Sequence, residues 1–138
     1  MTLYMLDTNT VSYMANGRSK AARARLLNLG ADEAACLSVV TEAEVLYGLA
    51  RRPEAVALKE RMGWLLAAIR VLPWGRDEAT VYGPMRAELE SAGKVLGTMD
   101  MQIAAHAFAA GAVLVTSDRV FGFVVGLKGI ENWATDLK

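Results

Sequence analysis

The chain has 138 residues, and its fifteen basic side chains balance fifteen acidic ones, so the formal net charge at pH 7 is zero. This balance gives no overall support for polyanion binding, because nucleic-acid-binding domains usually carry a basic footprint. The one cysteine excludes an internal disulfide, and no apolar stretch reaches the ~20 residues of a membrane span. Since the N-terminus also lacks a basic leader, we expect a cytoplasmic protein with no membrane segment.

Short apolar runs alternate with helical patterns along the chain. The first run ends at Leu6, and residues 7–10 supply N-cap chemistry for a helix through about Ala15. The remaining pattern predicts helices at 19–29, 40–49, 53–68, 77–92 and 99–110 and strands at 34–38, 69–72 and 112–115, with a tail at 129–133. This alternation predicts an α/β protein, a single domain over residues 1–138 with a central, mostly parallel sheet flanked by helices.

Four acidic residues stand where such a sheet would gather them around a cation: Asp7, Glu44, Asp100 and Asp118. Asp7 and Asp118 follow the apolar runs 3–6 and 112–115, and open α/β sheets bind ligands beyond the carboxyl ends of their strands. Carboxylates held ~4 Å apart repel by roughly 4 kcal/mol at an effective dielectric of 20. Converging acids therefore need protons or a hard cation, Mg²⁺ or Mn²⁺, which favours a metal-dependent enzyme acting on phosphate esters.

Each acid also has a simpler explanation taken alone. Asp7 would cap the first helix, Asp118 would occupy a turn, Asp100 would complement the dipole of a helix capped by Thr98, and Glu44 would sit on a solvated helix face. These explanations do not predict that two acids follow strand ends. Glu42 competes with Glu44, but residues two apart on a helix point in nearly opposite directions, so only one joins the cluster.

Several segments together resemble the PIN-domain ribonucleases, and within them the VapC toxins of bacterial toxin–antitoxin pairs. The resemblance covers nearly the whole chain, in order, through residues 5–10, 38–48, 86–89, 97–107, 115–121 and 126–133. The first three acids of that pattern fall on Asp7, Glu44 and Asp100. This sequence departs from the pattern at Ser117, at Val120 and through an added Gly129, which affects the loop around Asp118.

The resemblance implies a PIN-like three-layer α/β/α fold and a metal-dependent endoribonuclease whose products carry a 5′-phosphate and a 3′-hydroxyl. Asp7 and Asp100 are expected as the main ligands of Mg²⁺ or Mn²⁺, with Asp118 and Glu44 as further or water-mediated ligands. Asn9 and Thr116 are expected to support the first carboxylates. The expected partners are RNA (transfer RNA above all), a small antitoxin protein and a second copy in a homodimer. The 54% hydrophobic content fits two such interfaces.

Two other classes remain open from the sequence. One is a phosphatase with Asp7 as a covalent nucleophile, although such enzymes usually place a second acid where this chain has Asn9. The other is a catalytically silent PIN domain that only binds RNA or protein. His106 is interpreted as a packed structural histidine. Two basic clusters are interpreted as solvated helix faces or as phosphate contacts of a nuclease: the run of Arg18, Lys20, Arg23 and Arg25, and the pair Arg51-Arg52.

Overall fold

A parallel sheet forms the centre of the computed structural model, which describes residues 1–137. Its five strands lie in the order β3-β2-β1-β4-β5, and the four pairings between these described strands are parallel. The strands are β1 (Thr2–Leu6), β2 (Glu33–Ser38), β3 (Arg70–Leu72), β4 (Val113–Val115) and β5 (Ile130–Glu131). The predicted α/β architecture is confirmed, and Lys138, the last residue of the predicted domain, lies outside the described residues.

Within residues 1–137, six α-helices and one 3-10 helix pack around the sheet. They are α1 (Thr8–Ala15), α2 (Lys20–Leu27), α3 (Val39–Ala50), α4 (Val56–Ala68), α5 (Arg76–Ser91), α6 (Thr98–Ala110) and the 3-10 helix Arg119–Phe123. The helix predicted from Pro53 begins later, because the N–H of Ala55 donates to the carbonyl of Arg52 at 3.0 Å and closes a turn first. The second predicted helix ends at Leu27, where the Asn28 side chain donates to the carbonyl of Ala24 at 2.7 Å.

Two hydrophobic cores lie on opposite faces of the sheet. Alternate side chains of a strand point to opposite faces, so Tyr4 and Leu6 of β1 join one core while Met5 joins the other. Buried side chains of α1, α2 and α4 complete the first core, and those of α5 and α6 complete the second. These cores give the three-layer α/β/α fold that was expected.

The order of the strands brings distant parts of the sequence together at one edge. Leu6, the last residue of β1, pairs with Val115, the last residue of β4. Because the strands are parallel, Asp7 and Thr116 leave the sheet side by side, and β2 ends next to them at Ser38. Within residues 1–137, no helix is both long and apolar enough to cross a membrane.

Candidate active site

Asp7 lies at the centre of the carboxyl edge of the sheet, between β1 and α1. Its Oδ1 accepts a hydrogen bond from the N–H of Thr10 at 2.9 Å and caps α1, while its Oδ2 accepts from the Thr116 hydroxyl at 2.6 Å. The residue is only 5% exposed. Burial raises the pKa of Asp7, against the lowering effect of the Thr10 and Thr116 hydrogen bonds. The fold thus holds a costly buried carboxylate in one fixed orientation.

Thr116 links Asp7 to the loop after β4. Its hydroxyl donates to Asp7 and accepts from the N–H of Asp118 at 3.0 Å, and its own N–H donates to the carbonyl of Glu131 at 2.9 Å. Asp118 is exposed and caps the 3-10 helix, because its Oδ1 accepts from the N–H of Val120 at 3.1 Å. A single buried hydroxyl therefore sets the position of two of the acids.

Asp100 is partly buried in the first turn of α6. This helix begins at Thr98, and its N-cap is Gly97 rather than Thr98. Burial is the main cause that raises the pKa of Asp100, followed by the negative charges of Glu44, Asp118 and Asp7, in that order. The fold thus brings together all four acids that the sequence singled out. They are close enough for the charges of the other three to raise the pKa of Asp100.

Glu44 reaches the site from α3. Its Oε1 accepts a hydrogen bond from the Thr8 hydroxyl at 2.7 Å, which ties α3 to the first residue of α1. Glu42 is also partly buried, but it is not among the charges that raise the pKa of Asp100. Of the two competing glutamates, Glu44 is the one that the structure brings to the other acids.

The supporting residues differ in part from the expected set. Thr116 contacts Asp7 as expected, whereas Asn9 is exposed and makes no side-chain hydrogen bond to the four acids within residues 1–137. Its neighbours contact the acids instead: the Thr8 hydroxyl donates to Glu44, and the backbone N–H of Thr10 donates to Asp7. The sequence 7–10 signalled a helix start, but a helix start alone does not show which of its polar side chains faces a second helix.

The donor set of this site suits a hard divalent cation, since it consists of carboxylate oxygens with hydroxyl groups behind them. No three His, Cys, Asp or Glu side chains within residues 1–137 are close enough together to hold one ion at once. An ion at this edge would therefore have few direct protein ligands without side-chain movement. That arrangement fits Mg²⁺, which is usually held by one or two carboxylates and keeps several waters.

His106 is buried and contacts Ser38 and Glu78. The side chain is 2% exposed, its Nδ1 lies 2.7 Å from the Ser38 hydroxyl, and its Nε2 lies 3.8 Å from Oε1 of Glu78. Burial lowers the pKa of His106, against the opposing charge of Glu78 and a hydrogen bond to the Pro73 backbone. The neutral imidazole thus joins α6 to the start of α3 without a hydrogen bond to any of the four acids.

The pattern of strand ends predicted that these acids would gather at the carboxyl edge of a parallel sheet. Comparison with known proteins tests the family that the sequence resembles. The sequence model of the PIN domain matches residues 4–125, most of the chain. The chain therefore belongs to the PIN-domain family.

Individual relatives narrow the assignment. The chain is 36% identical over 137 residues to ribonuclease VapC2 of Haemophilus influenzae, covering 96% of this chain and 99% of that protein. It is 33% identical over 136 residues to the tRNA(fMet)-specific endonuclease VapC of Shigella flexneri, covering 97% and 100%. Among solved structures, VapBC2 of Rickettsia felis bound to a DNA fragment from its promoter matches with a TM-score of 0.89 and 28% identity, over 96% of this chain and 99% of that one. Within the PIN-domain family, these relatives place the chain with the VapC ribonucleases.

Proposed function

We propose that this protein is a metal-dependent endoribonuclease, the toxin of a toxin–antitoxin pair, which hydrolyses RNA phosphodiesters. The observation that carries the proposal is the carboxylate of Asp7 at the carboxyl edge of the sheet, 5% exposed and bonded to Thr10 and Thr116, with Glu44 tied to the same helix start by Thr8. Burial and the charges of Glu44, Asp118 and Asp7 also raise the pKa of Asp100. Such crowding is costly for stability unless a cation relieves it, and perturbed carboxylates in a cleft are typical of functional sites. The ribonuclease names of the relatives supply the reaction class.

Asp7 and Asp100 would hold Mg²⁺ or Mn²⁺, with Asp118 and Glu44 as further or water-mediated ligands. When bound, such an ion supplies activation of the attacking water and neutralises charge on the phosphate. Asp7 needs no rearrangement to take part, because Thr10 and Thr116 already fix both of its oxygens. Glu44, oriented by Thr8, is placed to orient the attacking water or accept its proton. Asp118 is exposed, so an RNA strand at the site can contact it.

The proposed partners follow from the relatives. The Shigella relative is named for cleavage of tRNA(fMet), so transfer RNA is our first candidate substrate. The Rickettsia and Salmonella structures are VapBC complexes, and a small antitoxin is accordingly proposed as the inhibitor of this chain. We place the protein in the cytoplasm, as a homodimer of single-domain chains spanning residues 1–138.

The phosphatase alternative has less support. Such enzymes usually place a second acid two residues after the nucleophile, whereas this chain has the exposed Asn9 at that position. Trapping of a phosphoaspartate at Asp7, or activity confined to small phosphate monoesters, would favour that alternative.

The direct test is cleavage of total and transfer RNA by the purified protein, with Mg²⁺ or Mn²⁺ against EDTA. Asp7→Asn removes one charge from the site, and Asp32→Asn is a matched control because Asp32 is an exposed acid just before β2, at the opposite end of that strand from the site. We expect discrete fragments with 5′-phosphate ends from the wild type and from Asp32→Asn only. Metal-independent cleavage, or full activity in a folded Asp7→Asn variant, would contradict the proposal. A folded wild type that binds RNA without cutting it would point to a silent PIN domain.

A further inference from the structure

A groove leads from Glu44 to two arginines at the far end of α3. It has a volume of about 350 Å³ and lies between α1, α3 and α4. We call it the α1–α3 groove and define it by six of its lining residues, Thr8, Ser12, Glu44, Gly48, Arg51 and Arg52. Its volume is within the range of ligand sites, roughly 300–1,000 Å³. The groove is therefore large enough for part of a polymer that enters the site.

One end of this groove lies at the four acids. Glu44 accepts a hydrogen bond from Thr8 there at 2.7 Å, and its charge is among those that raise the pKa of Asp100. The other end carries Arg51, the residue that terminates α3, and Arg52. Arg51 comes seven positions after Glu44, which is about 10 Å along a helix axis. A single extended strand is long enough to contact both ends at the same time.

The two arginines are available for a ligand. Both are exposed, and within residues 1–137 Arg51 makes no ion pair. Arg52 lies 4.0 Å from Glu54, with both side chains more than 60% exposed, and such a pair contributes little. The Arg51 guanidinium lies 5.5 Å from the centre of the Tyr47 ring, which is itself 64% exposed. A planar guanidinium beside an exposed aromatic ring suits a phosphate next to a stacked base.

We propose that the α1–α3 groove binds the phosphate backbone of the RNA strand on one side of the cleaved bond. Arg51 and Arg52 contact its phosphates, and Tyr47 stacks on a base. This inference rests on the proposed nuclease function. It also accounts for RNA binding by a chain of zero net charge, because the attraction comes from a local basic end rather than from the whole surface. The charge of the arginines favours RNA over a neutral apolar segment as the occupant.

The test uses Arg51→Gln, Arg52→Gln and the double variant, with Lys20→Gln as the matched control. Lys20 is an exposed cation at the start of α2 and does not line the groove. Binding of labelled single-stranded poly(U), about 20 nucleotides long, is measured in EDTA across a salt series, since single-strand sites span roughly 4–16 nucleotides. Cleavage of bulk transfer RNA in Mg²⁺ is measured in parallel.

We expect each arginine variant to weaken RNA binding about fivefold to tenfold and to lower the slope of log affinity against log salt by about 0.7 per lost phosphate contact. The loss in cleavage falls mainly on KM. Arg51→Lys should keep the slope and lose part of the affinity, because lysine keeps the charge without the planar fork.

Two results would overturn the proposal in different ways. If the wild type cleaves RNA while both arginine variants bind and cleave as Lys20→Gln does, the groove does not bind RNA. A protein segment would then be the remaining candidate for its occupant. If the wild type neither binds nor cleaves RNA, the proposed function fails and the groove assignment fails with it. Circular dichroism and thermal melts of each variant show that exposed substitutions have not unfolded the chain.

Discussion

One hydroxyl group has an unusually large influence on the site. Thr116 is 2% exposed, donates to Asp7 and accepts from the N–H of Asp118. Substitution by valine keeps the shape of the side chain but leaves Oδ2 of Asp7 without its donor and the Asp118 N–H without its acceptor. Loss of a hydrogen-bond partner of a metal-binding carboxylate commonly lowers metal affinity or activity by 10–100-fold.

We therefore expect Thr116→Val to lose about 10–100-fold in RNA cleavage and in Mg²⁺ affinity measured by calorimetry. Thr116→Ser is the matched control, since it keeps the hydroxyl and should stay within a few-fold of the wild type. Equal Mg²⁺ affinity in the valine and serine variants would show that the hydrogen bond to Asp7 does not support the ion.

Asp100 should make the metal-free protein less stable at neutral pH. Its folded-state pKa is raised by burial and by the other three acids, so the folded state binds the proton more tightly than the unfolded chain does. Stability therefore falls as pH rises from the ordinary aspartate pKa through the raised one, and the loss is complete above it. Below the ordinary pKa both states are protonated, and the penalty is absent.

Accordingly, Asp100→Asn should abolish cleavage and yet stabilise the protein in EDTA at pH 7, by about 0.5–2 kcal/mol. Urea unfolding of wild type and variant at pH 7 and at pH 3 measures the effect, and the difference should shrink at the lower pH. A variant that is less stable than the wild type at pH 7 would show that Asp100 is compensated without a cation.

At the scale of elements, α3 and α6 are joined by a buried pair. Nδ1 of His106 lies 2.7 Å from the Ser38 hydroxyl, and the same hydroxyl accepts from the N–H of Val40 and caps α3. Ser38 comes six residues before Glu44, and His106 comes six residues after Asp100. The pair thus sits at the same distance along the chain from two of the acids and fixes the helices that carry them.

A double-mutant cycle with Ser38→Ala and His106→Phe tests this connection. Ser38→Ala removes a helix cap and leaves a buried ring nitrogen without its partner, so we expect a loss of roughly 1–3 kcal/mol in the free energy of unfolding. The coupling energy should fall within about 0.5–3 kcal/mol, and additive effects of the two substitutions would contradict a direct contribution of the contact.

Local patterns predicted most elements, because strand ends, caps and helical periodicity are properties of adjacent residues. The acids Asp7 and Asp118 were found from the sequence for that reason. The hydrogen bond from Thr8 to Glu44 joins residues 36 positions apart, so no local pattern contains it. The turn at 52–55 was not predicted for a different reason. A proline at position 53 suits the first turn of a helix as well as the turn that is observed, so the local sequence does not distinguish the two.

At the scale of the whole molecule, the exposed apolar side chains indicate that another protein chain covers part of the surface. Several large ones remain exposed in the single chain, among them Val95 at 83%, Val125 at 75% and Trp64 at 61%. We expect size-exclusion chromatography with light scattering to give about twice the chain mass of 14.9 kDa for the isolated protein. A mass equal to one chain over the accessible concentration range would contradict the proposed homodimer.

The strand order also governs when the site can first exist during synthesis. β1 is made first, but its neighbour β4 and the Thr116 hydroxyl come from the last quarter of the chain. A chain that stops between residues 100 and 112 therefore contains Asp7, Glu44 and Asp100 without the strand that aligns Asp7. The proposed toxic activity would appear only after β4 and Thr116 have been made, so a ribosome is not exposed to an active fragment that lacks them.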